Sequence, residues 1–198
     1  MRRLAASVLV IALAVVLGHP ASAGMDEGVQ AYKAGDFAAA FREFVALAEA
    51  GNVAAQYNVA QMYRNGKGVA QDYPTALKWY EKAAEAGLSS AQNNLAQMIV
   101  EGKGTEVDYA RAVGWWRRAA QQDYVSAQFN LGTAYLNGLG VTADKEEALF
   151  WYSLAMVNGY AGARPIREEL AGTMKLEQLL AVTERVKKWQ PKSELPPQ

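Results

Sequence analysis

Cysteine is absent from all 198 residues, and histidine occurs once, at His19. Long apolar runs are scarce too. The one present, Leu4 to Leu17, is shorter than the roughly 20 residues a membrane-spanning helix needs. Arg2 and Arg3 precede that run, and Ala21-Ser22-Ala23 follows it. A basic start, a short apolar core and a small-x-small site predict a signal peptide over 1–23. Cleavage is expected between Ala23 and Gly24, giving an exported, periplasmic or secreted chain with no membrane anchor. His19 would leave with the leader. A chain with neither His nor Cys cannot build a Ser–His–Asp triad, a Cys–His pair or a usual zinc site. No enzyme, cofactor or metal is therefore expected. Excess charge of one sign is also missing. Without Arg2 and Arg3, 18 basic side chains face 20 acidic ones, a net charge near −2. That gives no basic footprint for nucleic acid.

What the chain does have is one sentence written three times. Trp79, Trp115 and Trp151 recur every 36 residues, as do Gly66, Gly102 and Gly138, Gly68, Gly104 and Gly140, and Asp72, Asp108 and Asp144. A fixed period of this length marks a stacked-repeat architecture. Within each copy, Ala55, Val59, Met62 and Tyr63 (then Ala91, Leu95, Met98, Ile99; then Ala127, Leu131, Ala134, Tyr135) fall on one face of a first helix, A. The first glycine ends helix A, since glycine enters the left-handed region without a Cβ clash, and the second lets the chain reverse. The aspartate then caps a second helix, B, with Asp144 and Glu147 spaced for a capping box. Helix B is expected to bury Ala76, Leu77, Trp79, Tyr80 and Ala83, with the tryptophan filling the seam between copies.

The predicted fold is all-α, an α-solenoid of antiparallel helix pairs. Residues 24–51 form a shorter, N-terminal half-regular repeat. Full repeats span 52–87, 88–123 and 124–159, and capping helices span 160–190. A helix over about 173–189 is expected to close the stack with Leu176, Leu179, Leu180, Val186 and Trp189. The polar, proline-bearing stretch 191–198 is expected to be disordered. The loop Gly66-Lys67-Gly68 lacks the spacing and hydroxyl of a Walker phosphate loop and reads as an interhelical turn. Glu168-Glu169 reads as solvated surface charge.

The unit Ala55, Val59-Ala60, Tyr63, Gly66-Lys67-Gly68-Val69, Asp72, Ala76 and Trp79 resembles the Sel1-like repeat, a relative of the tetratricopeptide repeat. Copy two departs from it with Ile99 for the aromatic residue and Thr105 for the valine. The resemblance implies an adaptor that binds a protein or peptide, in exported bacterial members often for envelope assembly or signalling. It also implies that helix A lines a concave groove. On that alignment the groove residues are Tyr57, Asn58, Gln61 and Arg64 in copy one, Asn93, Asn94 and Gln97 in copy two, and Phe129, Asn130 and Thr133 in copy three. Asn58, Asn94 and Asn130 form a ladder at the repeat step. Amides carry donor and acceptor together, and so can hold a peptide backbone or bond between repeats; both roles stay open. The family's carboxylate clamp needs several cations in the groove, and only Arg64 qualifies. An envelope glycan, stacked on groove aromatics, is the alternative ligand, and a hydrolase a more distant one.

Overall fold

Residues 21–194 are described in the computed structural model; most of the expected signal peptide, and residues 195–198, lie outside them. Ten helices follow one another: α1 (Ala21–Lys33), α2 (Phe37–Glu49), α3 (Val53–Asn65), α4 (Tyr73–Glu85), α5 (Ser89–Val100), α6 (Tyr109–Gln121), α7 (Val125–Asn137), α8 (Lys145–Val157), α9 (Ala163–Gly172) and α10 (Leu176–Lys187). No strand occurs among the described residues. From α1 to α9 each helix packs on the next, and α10 turns back onto α8. The pairs α3/α4, α5/α6 and α7/α8 are the three repeats, α1/α2 is the N-terminal cap, and α9 and α10 close the other end.

Local chemistry accounts for the helix boundaries. Asp36, Asp72, Asp108 and Asp144 each accept a backbone N–H from the first turn of the B helix that follows. Such a cap is worth about 0.5–2 kcal/mol. Asp144 caps without a reciprocal box, because the Glu147 carboxylate pairs with Arg185 at 2.5 Å instead. Gly66 and Gly138 end α3 and α7 in the left-handed conformation. The second glycine of each loop does more than reverse the chain. A Cβ at Gly104 would lie 2.6 Å from the Tyr73 carbonyl carbon, and Gly68 and Gly140 back onto Phe37 and Tyr109 in the same way. Each loop therefore packs against the start of the preceding B helix, and only glycine permits that approach.

The core runs between A and B helices through Ala60, Tyr80, Leu95, Ala96, Leu131 and Leu149, all essentially buried. A separate apolar cluster, Ala40, Phe44, Ala48, Ala55, Val59 and Met62, joins the cap to α3. Tyr63 and Trp79 pack against both clusters. The residue after each periodic tryptophan lies deepest, or nearly so: Tyr80, Trp116 and Tyr152 are 0%, 6% and 1% exposed. Trp79 and Trp115 are only half-buried, roofed by Lys82 and Arg118 one turn on. Trp151 alone of the three is buried, under α10, with Trp189 edge-on at 5.4 Å.

Two expectations for the C-terminal end need correction. Val182 is the buried residue of α10, and Leu179, Val186 and Trp189 pack against the core with it, while Leu176 and Leu180, expected to do the same, are solvent-exposed. Residues 191–194 are not a free tail. The Lys192 amide donates to the Gln121 carbonyl at 2.7 Å, and Glu194 is gripped by Arg118.

Candidate functional site

The ten groove residues expected from sequence divide into those committed to the stack and those available. Asn94 donates to the Tyr57 hydroxyl at 3.2 Å and the Tyr80 hydroxyl at 3.4 Å. Asn93 donates to Asn94 Oδ1 and accepts from Asn130 Nδ2 at 3.4 Å. Tyr57, Asn94, Asn93 and Asn130 thus form one hydrogen-bonded chain across three repeats. Burial pushes the Tyr80 hydroxyl at its centre up to about 12, with nearby Tyr57 adding to the rise. Thr133 is bonded to Phe129 O and to the Tyr152 hydroxyl at 2.9 Å. The Phe129 ring sits 5.4 Å from Tyr152 and 4.6 Å from Tyr160. Gln97 donates to Glu101 at 2.7 Å; hydrogen bonds from Lys103 and then Gln97 hold that carboxyl below its ordinary range.

Copy one differs. Gln61 makes no hydrogen bond to the described residues, and Asn58 has only Met25 Sδ at 3.9 Å. Arg64 is half-buried, near Glu101 and the Tyr80 hydroxyl. Asn58 and Gln61 line a cavity of about 240 Å³ between α1, α2 and α3, with Val29, Phe44 and Met62 as apolar lining and Tyr32 and Lys33 beside them. Two amides, one without a hydrogen bond among the described residues and one held only by a long sulfur contact, can bond an extended backbone over this apolar lining while a side chain enters below.

A second polar system was not anticipated. Gln56, Gln92 and Gln128 recur at the 36-residue step, and each buried amide donates to a carbonyl at the end of the preceding B helix, Ala48, Ala84 and Ala120. Their register was visible in the sequence, but a glutamine among alanines gave no sign of its partner. In the second and third seams the glutamine oxygen is also satisfied, by Gln122 Nε2 at 2.9 Å and Asn158 Nδ2 at 3.1 Å. The matching position at the first seam is Ala86, and Gln56 Oε1 is left buried without a partner among the described residues.

These seams lie along the edge where each B helix ends and the next A helix begins, and the C-terminal segment runs across the second and third. The Trp189 indole donates to Asp123 Oδ1 at 2.8 Å. Asp123 holds φ +59, where the matching residues Gly51, Gly87 and Gly159 are glycine. Arg118 grips the Glu194 carboxylate through Nε and Nη2 at 3.0 and 2.6 Å, and Gln92 Nε2 adds a bond at 2.9 Å. Burial works against ionisation of Glu194, but Arg118 and Gln92 outweigh it and hold the carboxyl below its ordinary range. Gly87 makes room for this segment, since a Cβ there would meet the Glu194 carbonyl oxygen at 2.8 Å.

A family model described as "Sel1 repeat" matches residues 53–88, 89–124 and 125–155. The fold is similar to the crystal structure of a Sel1 repeat protein from Oxalobacter formigenes, with 28% identity, a TM-score of 0.72, and coverage of 82% of this chain and 68% of that one. It is also similar to c5321, a protective antigen of uropathogenic Escherichia coli strains displaying an SLR fold. There the identity is 25% and the TM-score 0.60, over 86% of this chain and 45% of that one, so the chain spans under half of that antigen. The MamA protein shares the fold at 17% identity and a TM-score of 0.50, over 89% and 98% of the two chains. Among curated proteins, no match is found.

Proposed function

Because the chain belongs to the Sel1 repeat family, whose members generally act as scaffolds for protein interaction, we propose that it binds a protein or peptide partner through its A-helix face. The observation that carries this reading is the cavity between α1, α2 and α3, where Asn58 and Gln61 hold unspent amides above an apolar lining. Of the ten groove residues, these two are assigned to the partner. Asn93, Asn94, Asn130 and Thr133 are assigned to holding the repeats together. A peptide fits better than a glycan. The rings that would stack on sugar, Tyr57 and Phe129, are engaged with Tyr80 and with Tyr152 and Tyr160. The family is typically non-catalytic, and no catalytic role is assigned to this chain.

The place of action is proposed to be the bacterial envelope, in assembly or signalling. Arg2, Arg3, the apolar run and Ala21-Ser22-Ala23 support export. The likeness to an antigen called protective fits a protein outside the cytoplasm. N-terminal sequencing of exported protein should begin at Gly24, and a full-length chain held in the membrane fraction would refute the cleavage.

The binding face is tested with a partner captured by crosslinking. Changing Asn58 and Gln61 together to alanine should weaken binding roughly threefold to a hundredfold and leave the melting temperature unchanged, because their amides meet solvent when unbound. Changing Asn94 and Asn130 should instead lower the melting temperature. The reverse pattern would move the binding face elsewhere.

A further inference from the structure

The seam between α4 and α5 holds an extended segment that ends on the Glu194 carboxylate, and the matching positions recur, without an occupant among the described residues, one repeat earlier. At the filled seam, Glu194 is held by Arg118 and by Gln92 Nε2, with Gly87 leaving space for the backbone. Thirty-six residues earlier stand Lys82, Gln56 and Gly51. The parallel extends to conformation. Gly51 has φ +93 and Gly87 φ +97. Gln56 donates to Ala48 O as Gln92 does to Ala84 O. Lys82 Nζ lies 4.1 Å over the Trp79 ring, as the Arg118 guanidinium lies 4.7 Å over Trp115. The difference is occupancy. A Cβ at Gly51 would meet nothing within 4 Å, and Lys82 has no carboxylate partner among the described residues. Gln56 Nε2 makes one hydrogen bond where Gln92 Nε2 makes two.

We propose that the Gly51–Gln56–Lys82 seam is a binding station for an extended partner segment, which places a Glu or Asp carboxylate on Lys82 and Gln56 and passes its backbone over Gly51. The chain's own segment, one repeat away, shows the fit of such an occupant: an extended backbone crossing the seam over a glycine, its carboxylate on a cation that is itself positioned by an indole face. The ring orients the cation before the carboxylate arrives, so less side-chain freedom is lost on binding. This edge is separate from the A-helix face, and the inference does not depend on that reading.

The test uses isotope-labelled full-length protein and a synthetic peptide of the sequence at 188–194, KWQPKSE, blocked at both ends so that its glutamate carries the only carboxylate. At about 1 mM peptide, the scale of a weak surface contact, the Gly51 amide and the Gln56 side-chain amide should shift in the nitrogen–proton NMR spectrum. Replacing the peptide's glutamate by glutamine, or Lys82 by alanine, should weaken the interaction at least about threefold. K82R should strengthen it, because arginine's fork matches the grip seen at Arg118. Absence of shifts at Gly51 and Gln56 would overturn the proposal. So would shifts confined to Gly87 and Gln92, which would mean exchange with the resident segment. Binding that appears only after removal of 195–198 would assign the station to the chain itself and overturn a partner role.

Discussion

The first and second seams use the same positions and differ in how completely those positions are satisfied. At the second, Gln92 donates to Ala84 and Glu194, accepts from Gln122, and sits under the C-terminal segment. At the first, among the described residues, Gln56 donates to Ala48 alone and its buried oxygen has no partner, while Lys82 faces solvent. Apolar packing follows the same division. The cap and one face of α3 form their own cluster, whereas the later repeats share one continuous core. Periodicity in a solenoid therefore guarantees equivalent geometry and not equal strength. A buried polar group that loses its partner carries a cost a sequence repeat does not reveal.

On the opposite edge the seams are alike, and the largest effects test that. The loops carrying Gly68 and Gly104 both back onto the preceding B helix, at Phe37 and at Tyr73. Gly68→Ala and Gly104→Ala should each destabilise by about 2–4 kcal/mol, combining the left-handed backbone penalty with a clash against main chain. Urea unfolding should give similar values for both; a clear inequality would show that the seams differ on both edges. Gly66→Ala should cost less, about 1–2 kcal/mol, because its nearest neighbour would be 3.4 Å away.

The glutamines come next. Gln92→Leu strands the Gln122 amide, removes part of the Glu194 grip and leaves the Ala84 carbonyl with the Gly87 N–H, and should cost about 2–3 kcal/mol by thermal or urea melts. Gln56→Leu removes an already unpaired oxygen and should cost about 1 kcal/mol or less. Equal losses would contradict the ranking of the seams. Repair is the sharper test. Ala86→Gln supplies the amide that Gln122 and Asn158 give the later seams and should stabilise by about 0.5–1.5 kcal/mol. No change would mean that Gln56 Oε1 is not reachable from that position.

The smallest effect is with pH. The folded Glu194 carboxyl is held below its ordinary 4.5. Its contribution is thus fully present above the unfolded value and is lost as pH falls through the lower, folded one. The protection factor of the Lys192 amide against hydrogen exchange should fall as the Glu194 carboxyl is protonated in acid, and Glu194→Gln should abolish that dependence.

The repeat register made the helices, their aspartate caps and the terminating glycines legible from sequence, because each is a local choice repeated at a fixed step. It also placed Asn58, Asn94 and Asn130 on one face. What they bond was not legible, since identical positions meet different neighbours: Met25, Tyr57 with Tyr80, and Asn93. The tandem aromatic positions 79–80 and 115–116 were ambiguous for another reason. Neighbours on a helix point about 100° apart, and only the fold shows that Lys82 and Arg118 turn the first of each pair into a rim residue. The C-terminal segment was least legible. Its hold rests on Arg118 and Asp123, where the matching residues differ in the other copies.

Repeat arrays usually fold through contacts between neighbours, so assembly can start anywhere and spread. The crossing segment breaks that locality: Glu194 meets Arg118 and Gln92 across 76 and 102 residues, and Trp189 meets Asp123 across 66. Closing loops of that length is slow relative to pairing adjacent helices. Folding should therefore end in two stages, a stack that assembles quickly and a latch that closes over it. Stopped-flow refolding of the Glu194→Gln chain should keep the fast stage and diminish the late one, and adding Trp189→Ala should diminish it further.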